Sequence, residues 1–293
     1  MLRLLHLLFY FFVMDNPNLI DLNSNRTDRP ERSFKLGTTS FIFPDHIIPN
    51  VKKLGRHFDE IELLVFESQP EEVLPSRSDV KELSNLSDQL DLNYNIHLPI
   101  DVTLCSESEQ KRVKASETIL KVIELFAPLN PTTHTLHIDM LPGIKIKKNT
   151  VDHAGIKKWQ ESVKKSLKTI LSHVSSPDII SIETLDYPFG LVEPFIEEFR
   201  LSVCIDVGHQ IKYGDNLLET FDKHRSRTPV IHLHGVDFSG AYIKDHTSLD
   251  KLPKQYVSQI QTILNDYTGV VSLEVFSLEK LCRSLRFLSK IFS

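Results

Sequence analysis

Cysteine is scarce in this chain of 293 residues: Cys105, Cys204 and Cys282 are the only three, widely spaced and odd in number. That excludes a disulfide framework or a thiolate zinc knuckle, and it fits a reducing cytoplasm. A glycine-rich phosphate loop is missing. So is a basic surplus: 34 Lys and Arg against 39 Asp and Glu give a net charge of −5 and a pI near 6.2. No overall positive field draws the chain to nucleic acid or anionic lipid. The apolar run MLRLLHLLFYFFVM is too short to cross a bilayer, which takes about 20 helical residues. The stretch after it, DNPNLIDLNSNRTDRPERS, holds no small-residue cleavage site, so the run reads as a dispensable extension, with Met14 a second candidate start, and not as an export signal.

What is present suits a sizeable core, with 41% hydrophobic and 25% charged residues. Residues 1–33 read as a flexible leader and 34–293 as one domain. From Phe34 onward, runs rich in β-formers alternate with stretches of helical period. The runs are LGTTSFI (36–42), EIELLVF (60–66), NYNIHL (93–98), THTLHI (133–138), IISIET (179–184), LSVCID (201–206), VIHLHG (230–235) and VVSLEV (270–275). The helical stretches lie near 76–91, 109–127, 152–174, 190–199, 214–224, 254–266 and 277–291. Eight such alternations predict a single (β/α)8 barrel of the α/β class, with no repeat or linker dividing it.

Alternate residues of a barrel strand face the helices and the lumen. Ile180 and Ile182 form one set, leaving Ser181 and Glu183 on the other; Val203 and Ile205 leave Cys204 and Asp206. The same parity turns His97, His137, His232 and Glu274 inward, each at or near the C-terminal end of its strand, where barrel active sites lie. His209 follows in the turn of IDVGH, where Gly208 is expected to supply an unusual dihedral, and Asp245 with His246 lies in the loop after the seventh strand. Taken singly, each has a plain structural explanation as a hydrogen-bonded histidine, an ion-paired acid or a turn cap. Together, inward carboxylates and imidazoles require cations. A donor set of nitrogen and oxygen without thiolate suits two or three Zn2+, Mn2+ or Fe2+ ions. Glu67 after the second run and His234 one step beyond His232 are secondary candidates, the latter as a residue orienting a ligand.

The pattern resembles the xylose isomerase-like barrel superfamily, which includes sugar-phosphate isomerases and the endonuclease IV type of abasic-site nuclease, over residues 35–290. In the endonuclease IV pattern, histidines end strands three and four, a bridging Glu ends strand five, and a D-x-x-H follows strand six. A His ends strand seven, D-x-H lies in the next loop, and a Glu ends strand eight. The matching residues are His97, His137, Glu183, Asp206, His209, His232, Asp245 with His246, and Glu274. The resemblance implies that Glu183 bridges two ions, with Asp206, His232 and Glu274 completing one and His97 and His137 the other. His209 and His246 would hold a third ion or touch substrate, so Glu183, His209 and His246 carry the catalysis. One departure weakens the third site: in KDHTSL the residue two before His246 is Lys244, leaving Asp245 as the substitute acid.

The stretches KLGTTSFIFPDHIIPN, NIHLPIDVTL and PTTHTLHID are most similar to the cobamide-remodeling phosphodiesterase family. That resemblance implies hydrolysis of the phosphoribosyl linkage in the nucleotide loop of a cobamide, giving cobinamide phosphate and a lower-base riboside. The expected partner is thus a small molecule, with neither nucleic acid nor membrane; oligomeric state is not legible. Two alternatives stand beside it: an abasic-site nuclease, disfavoured by apolar and acidic loops such as SFIFPDHIIPN and LPIDVTLCSESEQ, and a sugar or sugar-phosphate isomerase or epimerase.

Overall fold

Each barrel run is short, β-branched and closed by a polar or turn residue, so it extends for a few residues and hands over to a helix. In the computed structural model, which describes residues 32–68, 73–141, 144, 146–147 and 150–292, the alternation closes on itself. The strands are β1 Lys35–Thr39, β2 Glu60–Leu64, β3 Asn93–His97, β4 His134–Leu136, β5 Ile180–Glu183, β6 Ser202–Asp206, β7 Val230–Leu233 and β8 Val270–Leu273. All pair in parallel, β8 closing against β1. The fold is the expected (β/α)8 barrel. The leader expected at 1–33 falls almost wholly on residues 1–31, which lie outside the described residues.

The helices are α1 Ile47–Leu54, α2 Arg77–Leu90, α3 Glu109–Phe126, α4 His153–Leu171, α5 Glu193–Phe199, α6 Val207–Tyr213, α7 Leu217–His224, α8 Lys254–Asp266 and α9 Leu278–Ile291. Their apolar stripes pack on the outward strand residues, Ile180, Ile182, Val203, Ile205, Ile231, Leu233, Val271 and Leu273 among them, in one continuous core. No helix among the described residues is long and apolar enough to cross a membrane.

The inward residues form layers. Cys204, Val230 and Val270 make a small apolar plug low in the lumen. Polar side chains surround it and pair in part: Asn95 Nδ2 donates to Glu60 Oε1 at 2.8 Å, Ser272 Oγ to Glu62 Oε2 at 2.6 Å, and the Thr133 and Ser181 hydroxyls meet at 2.6 Å. Carboxylates and imidazoles lie above them, toward the C-terminal mouth. After β7 the chain adds an antiparallel hairpin, Gly235–Asp237 with Lys244–Thr247, which carries Asp245 and His246 across that mouth.

Candidate metal centre

IDVGH resolves into two jobs for one carboxylate. Asp206 ends β6 and is the N-cap of α6, its Oδ1 accepting from the His209 amide at 2.7 Å. Oδ2 is buried and has no hydrogen-bond partner; it faces His232 Nδ1 and His209 Nε2, each at 3.9 Å. The cap and the candidate ligand are the two oxygens of one side chain. The expected unusual dihedral at Gly208 is not there: among the described glycines only Gly214 has positive φ. Gly208 lies within the first turn of α6, and a Cβ there would fall 1.9 Å from Cε1 of His234. Glycine is required for the close approach of that ring, not for the turn.

Glu183, at the end of β5, is shared. Its Oε2 lies 2.8 Å from His137 Nε2 and 3.4 Å from His97 Nε2, while Oε1 lies 3.3 Å from His232 Nδ1. His232 Nδ1 is also 3.5 Å from Glu274 Oε2, a second buried oxygen without a hydrogen-bond partner. Two groups of ligand atoms result, His97, His137 and Glu183 on one side and Glu183, Asp206, His232 and Glu274 on the other; within each, all atoms lie within 4.8 Å of one another. The sequence-predicted set for the first two ions is brought together in full.

The remaining predicted residues divide. His246 turns toward Glu274 and His234: its Nδ1 is 3.5 Å from Glu274 Oε2, and its ring centre is 4.1 Å from that of His234. Asp245 points elsewhere, to Lys212 at 2.6 Å. The two side chains therefore meet different partners, so the adjacent pair does not act as the D-x-H spacing would. His234, a secondary candidate, lies with Nε2 3.1 Å from Asp206 Oδ1 and Nδ1 accepting from the His246 amide at 3.0 Å, and it also converges with His209 and His246. Glu67 is exposed and belongs to none of the clustered groups among the described residues.

Three site residues escaped the sequence reading. Glu62 on β2 is fully buried, with Oε1 2.9 Å from His232 Nε2. The parity that found Glu183 finds it too, since Ile61 and Leu63 in EIELLVF face the core and Glu60 and Glu62 face the lumen. Asp186 and Lys212 form a bridge, His209 Nδ1 to Asp186 Oδ1 at 2.9 Å and Asp186 Oδ2 to Lys212 Nζ at 2.6 Å. They lie after β5 and in α6, a contact between segments that periodicity does not reveal.

The carboxylates of the site differ in how far the neighbouring imidazoles offset their burial. Burial pushes Glu183 up, but the charges of His137 and His232 outweigh it and hold it well below the usual carboxylate range. Burial likewise opposes ionisation of Asp206, and His234 and His209 overcome it. Glu274 goes the other way: burial, with repulsion from Glu183 and Asp206, lifts it well above its ordinary value despite His232. His209 is lifted to about 9, Asp206 and Asp186 overcoming its desolvation, whereas burial and His234 bring His246 down to about 4. Burial raises the Cys204 thiol to about 12, so it stays a thiol and packs. Buried carboxylate oxygens without partners, converging with imidazole nitrogens, fit divalent cations.

Fold and site together define a parallel barrel whose C-terminal mouth gathers histidines and carboxylates that could hold metal ions. The family model described as xylose isomerase-like TIM barrel matches residues 48–291, and the chain belongs to that family. No curated protein sequence matches it. Among solved structures it is similar to a D-tagatose 3-epimerase-like protein, at 18% identity and TM-score 0.67 over 88% of this chain and 97% of that one. A xylose isomerase domain protein from Planctomyces limnophilus gives 13% and 0.64 over 90% and 97%. D-psicose 3-epimerase with D-tagatose from Clostridium cellulolyticum H10 gives 15% and 0.62 over 89% and 100%. At these identities the likeness is one of fold.

Proposed function

We propose that the chain is a metal-dependent phosphodiesterase acting on a small molecule in the cytoplasm, the cobamide nucleotide loop being the substrate that the sequence resemblance implies. One observation supports hydrolysis above the rest: Glu183 offers one oxygen to His97 and His137 and the other to the group with Asp206, His232 and Glu274. A carboxylate shared between two ligand groups is the arrangement of two-ion phosphoryl chemistry. Bound there, the ions supply Lewis acidity and neutralise charge on the phosphoryl oxygens. The chain orients the ligands through Glu62 and His234, and His209, held charged by Asp206 and Asp186, has Nε2–H to offer the leaving oxygen. The mouth exposes Phe41, Ile100, Phe238, Tyr242 and Ile243, which suits an apolar-faced small molecule better than a polyanionic duplex.

A second reading, sugar isomerase or epimerase, draws support from the neighbours named above, which favour it over a cobamide substrate. The group Glu183, Asp206, His232 and Glu274 by itself suffices for one ion flanked by two glutamates. That reading leaves His97 and His137 without a ligand role. The test is to incubate metal-reconstituted protein separately with a cobamide, an abasic-site duplex and a keto-sugar phosphate, following products by chromatography and mass. Cobinamide phosphate with a riboside is the expected outcome; an epimerised or isomerised sugar with an intact cobamide would overturn the hydrolase reading.

A further inference from the structure

We infer that the centre takes two ions and not three, because the ammonium of Lys212 occupies the place of the third cation. The inference rests on the two-ion reading above. Asp206 is the N-cap of α6, His209 lies three residues on and Lys212 in the last turn, three beyond His209, so the lysine neighbours His209 on the helix surface. Its Nζ is 2.6 Å from Asp186 Oδ2 and 2.6 Å from Asp245 Oδ2, and Asp186 Oδ1 is 2.9 Å from His209 Nδ1. The ligand atoms of Asp186, His209 and Asp245 lie within 4.8 Å of one another, close enough to enclose an ion. The lysine is bound by both of their carboxylates.

The alternative third site is also incomplete. In the D-x-H arrangement both side chains would project from one face of the strand. Here the residue two before His246 is the exposed Lys244, and Asp245 points away from His246 to Lys212. His246 itself is left-handed, with φ 44°, and turns toward His234 and Phe276. His209, His234 and His246 do converge, His234 accepting the His246 amide at Nδ1 and lying 3.1 Å from Asp206 Oδ1 through Nε2, but the acid of the D-x-H pair is absent from this group, since Asp245 is turned to Lys212. An ammonium has no coordination position to offer water, so Lys212 acts by positioning: it holds Asp186, which orients His209 and leaves Nε2 facing the centre.

The test is metal stoichiometry. The full chain is stripped with chelator, reloaded with Zn2+, dialysed and measured by elemental analysis, beside Lys212→Ala and Lys212→Gln, with melting temperatures to confirm folding. Two ions per chain are expected for the parent and three for both variants, since removal of the ammonium frees Asp186, His209 and Asp245. A parent that binds three, or folded variants that stay at two, overturns the inference and leaves the shared role of Glu183 intact; a parent that binds one overturns both.

Discussion

Glu62 and His232 face each other across the barrel lumen, Oε1 to Nε2 at 2.9 Å, with both side chains fully buried. The other ring nitrogen of His232 is the one turned to Glu183 and Glu274. A carboxylate behind a histidine fixes its tautomer and raises its basicity as a ligand. Burial disfavours a charged Glu62, yet His232 holds its pKa below the ordinary value, and Ser272 donates to the second oxygen. Glu62→Gln is expected to weaken metal affinity about 10- to 100-fold, the range for such supporting partners. Zn2+ competition titration against a chelating dye measures it; unchanged affinity would assign Glu62 to packing alone.

Asp206→Asn separates the two duties of that carboxylate. Asparagine caps a helix as well as aspartate, so the amide of His209 keeps an acceptor, whereas the charged oxygen facing His232 is lost. In chelator the melting temperature should fall by the lost pairing with His234 and His209 but not by a lost cap, while bound metal and hydrolysis fall, the rate by orders of magnitude. Asp206→Ala should lose metal too, with about 1 kcal/mol of stability besides. If both variants keep full metal and rate, Asp206 is only a cap.

Gly208→Ala tests the close approach in α6. An added methyl would collide with the His234 ring, so His234 must shift and release Asp206. Metal affinity should drop although no ligand has changed, and a crystal structure should show the ring displaced. A turn needing only glycine's dihedral freedom would leave His234 in place.

The metal-free protein should weaken with alkali through His209. Its pKa rises from the ordinary value near 6.5 to about 9 on folding. The native state therefore holds a proton that the unfolded state has released, so the stabilisation is complete below about pH 6.5 and is lost as pH rises through about 9. Urea midpoints in chelator across this window should fall more steeply for the parent than for His209→Gln. Equal slopes would contradict the charged assignment.

All eight strands were legible, each expected run containing its observed strand except β1, which begins one residue earlier at Lys35. Parallel strands are buried on both faces, and here the lumen face is polar, so parity brings out the candidate ligands directly. The helices were less complete. α1 was missed because Pro49 sits within its eight residues and His46 gives no side-chain cap, and α6 because glycine and β-branched residues in VGHQI mask its period. Glu67 was singled out as a secondary candidate because it lies past the strand end, whereas the acid that meets His232 is Glu62, lower in the lumen. The Asp186, Lys212 and Asp245 bridge joins the loop after β5, helix α6 and the hairpin after β7, a tertiary contact with no local signature.

Anomalous diffraction from a crystal of the metal-loaded protein tests the shared carboxylate most directly. The result expected is two peaks about 3.5–4 Å apart, bridged by Glu183, one with His97 and His137 and the other with Asp206, His232 and Glu274. A single peak held by Glu183, Asp206, His232 and Glu274, with His97 and His137 off the metal in a fully loaded crystal, would contradict it.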